Sequence, residues 1–221
     1  MKKSFSEEEL KAIASQLSHP KGEMGIDVAA TMHESNISMT EKAIELLHLE
    51  NGDKVLELGH GSAMHVSQLL EEQESLHYTG LEVSELMYLE AKKHNIQWID
   101  AGIADFHLYD GEQAPFESGS FDKIFTVNTI YFWKDPLRTA EELERLLADE
   151  GSLVIAFAQK RFMEKLPFAQ HGFTLYDDAD VMELMTEVGL VTLEQSDVTE
   201  TVKSKAMEEV QREFTVMRFS R

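Results

Sequence analysis

The sequence contains no cysteine. That excludes disulfides, thiolate metal sites and cysteine nucleophiles together, and it fits a reducing compartment. No stretch comes near the ~18 consecutive apolar residues of a membrane-spanning helix, so no membrane partner is expected. The N-terminal stretch Met1-Lys2-Lys3-Ser4-Phe5 has two lysines with no apolar run behind them. That is not the pattern of a signal peptide, and a cytoplasmic location is the expectation. Basic residues are scarce: 20 Lys and Arg stand against 41 Asp and Glu, a formal charge of −21. Such a surface repels phosphate backbones and anionic lipid, so no nucleic-acid partner is expected. A cationic ligand is favoured electrostatically; the acidic surface also serves solubility. There is no internal repeat, linker or low-complexity tract. The 221 residues suit one domain, which at this length buries roughly 70–75% of the unfolded chain's surface and needs no covalent staple. Oligomeric state is left open, a homo-oligomer included.

What is present reads as a helical lead followed by alternating strands and helices. Ser6-Glu7-Glu8-Glu9 has the form of a capping box, and Leu10, Ile13, Ala14 and Leu17 recur at helical spacing. His19-Pro20-Lys21-Gly22 stops that helix. Gly25 to Glu34 predicts a second, weaker helix, and Ser38 caps a third that carries Ala43, Ile44 and Leu47 on one face. From Lys54 onward, strands are expected at Lys54–Leu58, His77–Val83, Ile96–Ala101, Phe121–Asn128 and Ser152–Ala158. Helices are expected at Ala63–Glu72, Glu85–His94 and Pro136–Ala148. Ser84 and Asp135 are the N-caps of the last two, with Pro136 at the first helical position. This alternation implies βαβ units, a doubly wound and mostly parallel sheet of the α/β class. Towards the C-terminus, Asp178–Val188 reads as a helix ended by Gly189. Leu190–Val198 and Glu213–Phe219 then read as an antiparallel strand pair at the sheet edge, separated by a charged stretch from Glu200 to Arg212 without a helical pattern.

In such a sheet a ligand sits beyond the carboxyl ends of the strands, at the switch point. The first strand ends in Glu57-Leu58-Gly59-His60-Gly61. Two glycines one residue apart bring bare backbone to a ligand, with the first N–H groups of the following helix free to bond it. A nucleotide-like cofactor suits that turn, and His60 sits in it, offering backbone, with its side chain incidental. The second strand ends in Glu82-Val83. The Glu82 carboxylate can take both hydroxyls of a ribose; the alternative is an acid at the start of a helix. After the expected third strand come Ala104, Asp105 and Phe106, where Asp105 either accepts from an adenine amino group or belongs to a turn. The fourth strand ends at Asn128. Glu57 is a carboxylate in an apolar strand, costly unless bonded, and pairs either with amides of the glycine turn or with a cationic amino group. A nicotinamide dinucleotide is disfavoured: no third glycine follows in the helix, where Met64 and His65 stand.

These features resemble the class I S-adenosylmethionine-dependent methyltransferases, and most closely the small-molecule enzymes of ubiquinone and menaquinone biosynthesis. The acid-x-Gly-x-Gly motif is Glu57 to Gly61, with Ala63 where a third glycine is often found. Glu82 matches the family's second-strand acid and Asp105 its third-strand acid. Pro115-Phe116 with Ser120-Phe121-Asp122 matches the signature before the fourth strand. Arg145 with Glu150-Gly151-Ser152 matches the lead into the fifth. The resemblance implies a seven-stranded sheet in three α/β/α layers with an antiparallel C-terminal pair. It divides a single domain over 1–221 into an N-terminal helical cap (1–50), a cofactor-binding core (54–158) and a substrate-side segment with the C-terminal strands (159–221). It implies S-adenosylmethionine as cofactor, held by Glu57, Gly59, His60, Gly61, Glu82, Val83, Ala104, Asp105, Phe106 and Asn128. A small-molecule acceptor is implied but not identified; no metal and no fixed protein nucleophile are expected, and the catalytic residues are left open. Met24, Met32, His33, Asn36, Met39, Tyr131, Phe132, Trp133, Arg161, Phe162, Phe168 and His171 are candidates for acceptor contacts or plain packing, with His33 or His171 the candidate general base. Two other readings remain, a NAD(P)-dependent oxidoreductase and a non-catalytic S-adenosylmethionine-binding regulator.

Overall fold

The structure, a computed structural model, describes residues 5–73, 75–203 and 209–221. Residues 1–4 of the stretch read against a signal peptide, and 204–208 within the charged segment 200–212, lie outside the described residues. Helix α1 (Glu7–Ser18) opens with the expected box: Glu9 N–H donates to Ser6 Oγ at 3.2 Å and Ser6 N–H to Glu9 Oε2 at 2.7 Å. Past Pro20 the chain departs from expectation. Instead of two helices there is one, α2 (Gly22–Leu47), of 26 residues. Ser38 caps nothing; its hydroxyl donates to Glu200 at 2.7 Å. No proline or glycine stands between Ile26 and Asn51 to break the run. Met39, Ala43, Leu46 and Leu47 are buried along one side of it, so tertiary packing carries weak local propensity through.

Strands β1 (Lys54–Leu58), β2 (His77–Glu82), β4 (Phe121–Val127) and β5 (Leu147–Ala158) stand where the apolar runs predicted, β5 starting five residues early. The third expected strand is a helix. Ile96–Asp100 forms α5, and β3 lies downstream at Ala104–Leu108. Ile96 and Ile99 are three apart, a helical spacing, and Gly102 at φ 69° ends the turn. β3 then shows alternate burial, with Ala104 and Phe106 inward and Asp105 outward. The helices α3 (Val66–Glu72), α4 (Glu85–His94) and α6 (Pro136–Leu146) alternate with these strands. Short α7 (Lys160–Met163), then α8 (Asp178–Glu187), lead to β6 (Val191–Lys203) and β7 (Glu209–Ser220).

The seven strands run β3-β2-β1-β4-β5-β7-β6. β1 to β5 pair in parallel, while β7 lies antiparallel to both β5 and β6. Two apolar cores flank the sheet. One holds Met39, Val55, Val66, Leu69 and Ala91 beneath α2, α3 and α4. The other holds Leu56, Ile124, Leu143, Leu146, Val181 and Met185 beneath α6 and α8. Val55 and Leu56 falling into different cores is the two-residue period of a strand covered on both faces. The chain leaves β3 at one edge and returns to β4 on the far side of β1. The switch point therefore lies between β1 and β4, directly above the glycine turn.

Candidate cofactor site

The turn after β1 requires its glycines. Gly59 has φ +75°, and a Cβ there would fall 2.4 Å from the Thr129 methyl after β4. Gly61 has φ +57°, and a Cβ on it would meet nothing within 4 Å, so open space lies above it. Ala63 also takes the left-handed region, φ 50°, at a cost of roughly 1–2 kcal/mol for a residue with a Cβ. The buried Asn95 amide accounts for that shape by donating to the Ala63 carbonyl at 3.0 Å.

Two buried carboxylates hold the turn from either side. Glu82 accepts from Gly61 N–H at 3.0 Å, Val83 N–H at 2.8 Å and Ser84 N–H at 2.9 Å. A carboxylate offers about four lone-pair positions, so one stays open towards the space above the turn. Glu57 accepts from His65 Nε2 at 2.8 Å and the Tyr78 hydroxyl at 2.5 Å. Burial by itself raises the Glu57 carboxyl, but His65 and Tyr78 outweigh it and hold the group below the ordinary carboxylate range. Among the described residues Glu57 bonds no amide of the glycine turn. The acid is bonded by side chains behind the turn. Burial likewise pushes the Tyr78 phenol well above its usual value, with the Glu57 charge adding to it. His60 turns its ring under the sheet end, Nδ1–H donating to the Gly61 carbonyl at 2.7 Å and the ring edge-on to Phe106 at 5.1 Å. Burial holds this imidazole below its usual value despite Glu82 and Glu57 nearby.

A cavity of about 430 Å³ opens over the turn. Its floor is Gly59, Gly61, Glu82, Val83, Val127 and Asn128. The carboxyl end of β3 adds Tyr109, Asp110 and Gly111. Its roof runs from Leu17 at the end of α1 to Pro20, pinned where the Ser84 hydroxyl donates to the Pro20 carbonyl at 2.6 Å. A smaller polar cavity, of about 70 Å³, continues from Gly59 and Gly61 under α2, with His33, Asn36, Thr40, Glu57 and His65 in its walls. Bare glycine backbone, an acid with an open lone pair and an adjoining space fit an adenosyl group. Among the described residues no cluster of His, Asp or Glu could hold a metal ion.

Seven of the ten sequence-predicted residues thus surround the two cavities: Glu57, Gly59, His60, Gly61, Glu82, Val83 and Asn128. The other three do not. Because β3 begins at Ala104, the segment Ala104, Asp105, Phe106 lies at the opening end of the strand, away from the carboxyl edge. Ala104 and Phe106 are core, and Asp105 is exposed beside His77 at 3.4 Å. Asp110 occupies the place at the strand end. Its signal was an Asp-Gly turn after an alternating strand. Phe132 and Trp133 line the outer cavity, while Tyr131 is buried and holds Ala158. Arg161 pairs with Glu213 on the surface at 2.7 Å, and Phe162 is core. His171 lines neither cavity.

Residues 56–155 match the methyltransferase domain family. The chain is 27% identical over 128 residues to the uncharacterized methyltransferase YdaC of Bacillus subtilis (strain 168), covering 56% of this chain and 66% of that one. The matched stretches span 66%, 47% and 64% of the lengths of three curated relatives. A SAM-dependent methyltransferase from Aquifex aeolicus superposes with a TM-score of 0.65 at 18% identity, over 98% of this chain and 99% of its own. Geranyl diphosphate C-methyltransferase from Streptomyces coelicolor A3(2), solved with S-adenosyl-L-homocysteine, superposes with a TM-score of 0.71 at 11% identity, over 94% and 87%. At those identities the likeness to the solved structures is one of fold, and the match to the methyltransferase domain family covers residues 56–155, the part of the chain that holds most of β1 and β5, all of β2 to β4 and the glycine turn.

Proposed function

We propose that this protein binds S-adenosylmethionine above the glycine turn and uses it to methylate a small molecule. The observation that carries this is the Gly59–Gly61 turn at the switch point, tied to Glu82 and opening into the 430 Å³ cavity. When bound, the cofactor supplies an electrophilic methyl group on a sulfonium, whose departure needs no protein nucleophile. The chain's part is to hold and align. In this reading the open lone pair of Glu82 takes a ribose hydroxyl. Asp110, in place of Asp105, faces the adenine amino group. Val83 and Tyr109 cover the base. The Leu17–Pro20 roof excludes water, and positioning in a closed pocket is worth several orders of magnitude in rate.

The acceptor side is the outer cavity, where Leu17, Pro20, Phe132 and Trp133 give an apolar wall and Lys134 a single cation. A roofed space of this size suits a small molecule better than a polymer, and a charge of −21 opposes nucleic acid. His33, on the cavity side of α2, is kept below its usual value by burial and by His65, which favours the neutral imidazole that a base requires. The cytoplasm is part of the same proposal, resting on the cysteine-free composition.

The test is thermal denaturation with S-adenosylhomocysteine and, separately, NAD. Ligand at 100 times its dissociation constant adds about 2.7 kcal/mol. The homocysteine product should raise the midpoint and NAD should not. Glu82→Ala should remove most of that rise. A rise with NAD alone would return the chain to the dehydrogenases.

A further inference from the structure

The buried charge farthest from the glycine turn in sequence reaches it through one side chain. Arg212, in β7, is 6% exposed. Its guanidinium bonds Glu200 on β6 through Nε at 2.8 Å and through Nη2. The same group crosses to α2: Nη2 also reaches the Ser35 carbonyl at 2.6 Å and Ser38 Oγ at 3.4 Å, and Nη1 reaches Asn36 Oδ1 at 3.2 Å. Asn36 lines both cavities beside Gly59 and Gly61. A guanidinium only donates, so it accepts just one of the two orientations of an amide: the carbonyl turned towards it. The Nδ2 group of Asn36 is thereby directed the other way, and it has no acceptor among the described residues.

The charge of the inner cavity says what that donor is for. Glu57 lies in its wall, and neither Lys nor Arg does. If the adenosyl group is anchored at Glu82 and Asp110, on the β2–β3 side, the amino-acid end of the ligand has only the inner cavity under α2 to enter. Its carboxylate must then be received by neutral donors. We propose that Asn36 Nδ2 binds the cofactor's amino-acid carboxylate, and that Arg212 is the positioning residue that fixes Asn36 in the donating orientation. This rests on the function proposed above. It also gives the C-terminal hairpin a part in cofactor recognition, although that hairpin lies outside the matched domain at 56–155.

The experiment compares two probes by titration calorimetry. S-adenosylhomocysteine carries the amino-acid end; 5′-methylthioadenosine has the same adenosyl thioether without it. Asn36→Asp keeps the size of the side chain and an acceptor for Arg212, but faces the cavity with oxygen. It should weaken S-adenosylhomocysteine about tenfold or more, the loss of a hydrogen bond to a charged group. It should leave methylthioadenosine within about twofold. Arg212→Lys keeps the charge opposite Glu200 but lacks the fork, and should show the same selective loss, smaller in size. Equal loss for both probes, or none for either, in the Asn36 variant overturns the carboxylate assignment. The same pattern in the Arg212 variant overturns the positioning role. If the unaltered protein binds neither probe, the proposed function falls and takes this inference with it.

Discussion

At the residue scale, His60, Glu57 and Tyr78 are buried beside the turn in settings that each favour one protonation state. His60 is the clearest. Its Nδ1–H is spent on the Gly61 carbonyl, and its Nε2 is buried with no partner among the described residues. A proton on Nε2 would have nothing to donate to, and burial holds the imidazole below its ordinary 6.5. The folded state therefore binds fewer protons than the unfolded one. The stability this contributes is complete above pH 6.5 and is lost as pH falls through the folded value. Glu57, also depressed, acts in the same direction at lower pH. Urea denaturation across pH 5 to 7 should show stability falling with acid. His60→Gln should flatten that fall by up to about 1.4 kcal/mol per pH unit, the limit for one proton. An unchanged slope would mean that the ring is not the titrating group. Residue type was legible where chemistry was unusual for its setting. Glu57 in an apolar strand and Glu82 at a strand end were both visible. The partners of Glu57 were not, because Tyr78 and His65 meet it only when β2 and α3 pack beside β1.

At the element scale, capping was the most readable signal. The Ser6–Glu9 box, the Ser84 and Asp135 caps and the stop at Gly189 all stand as the sequence implies. Ser84 does more than cap. It accepts from Met87 N–H at 3.3 Å and also donates to the Pro20 carbonyl, tying the α1–α2 loop over Glu82. Ser84→Ala should cost about 1–2 kcal/mol in denaturant unfolding, from the cap and one buried acceptor left bare. Amide exchange should rise selectively between Glu7 and Lys21, since the roof loses its anchor. Uniform exchange across the chain would contradict that role. Where elements were misread, short apolar runs were the reason. Ile96–Ala101 satisfies both a buried strand and a helical turn, and only its neighbours choose. Trp98 Nε1–H donates to Ser67 Oγ on α3 at 3.2 Å, which fixes α5 against α3 and delays the strand to Ala104. That delay moves Asp105 to the wrong end of β3 and brings Asp110 to the cavity.

At the scale of the whole molecule, net charge is the dominant long-range term. With −21 spread over one protein, self-repulsion opposes compaction, and salt screens it as the Debye length falls from about 30 Å at 0.01 M to about 10 Å at 0.1 M. The melting temperature should rise over that range in scanning fluorimetry. A fall would show that the ion pairs outweigh the excess charge. The linear pattern of the chain determined the class of sheet, its parallel core, its antiparallel end and the glycine turn, because each is written in local periodicity or in residues with special backbone freedom. Only the tertiary structure decided that α2 is one helix, that β3 starts at Ala104, and that Arg212 and Asn36 meet across 176 positions. Those outcomes depend on which surfaces are buried together, and burial is a property of the packed layers that no window of sequence contains.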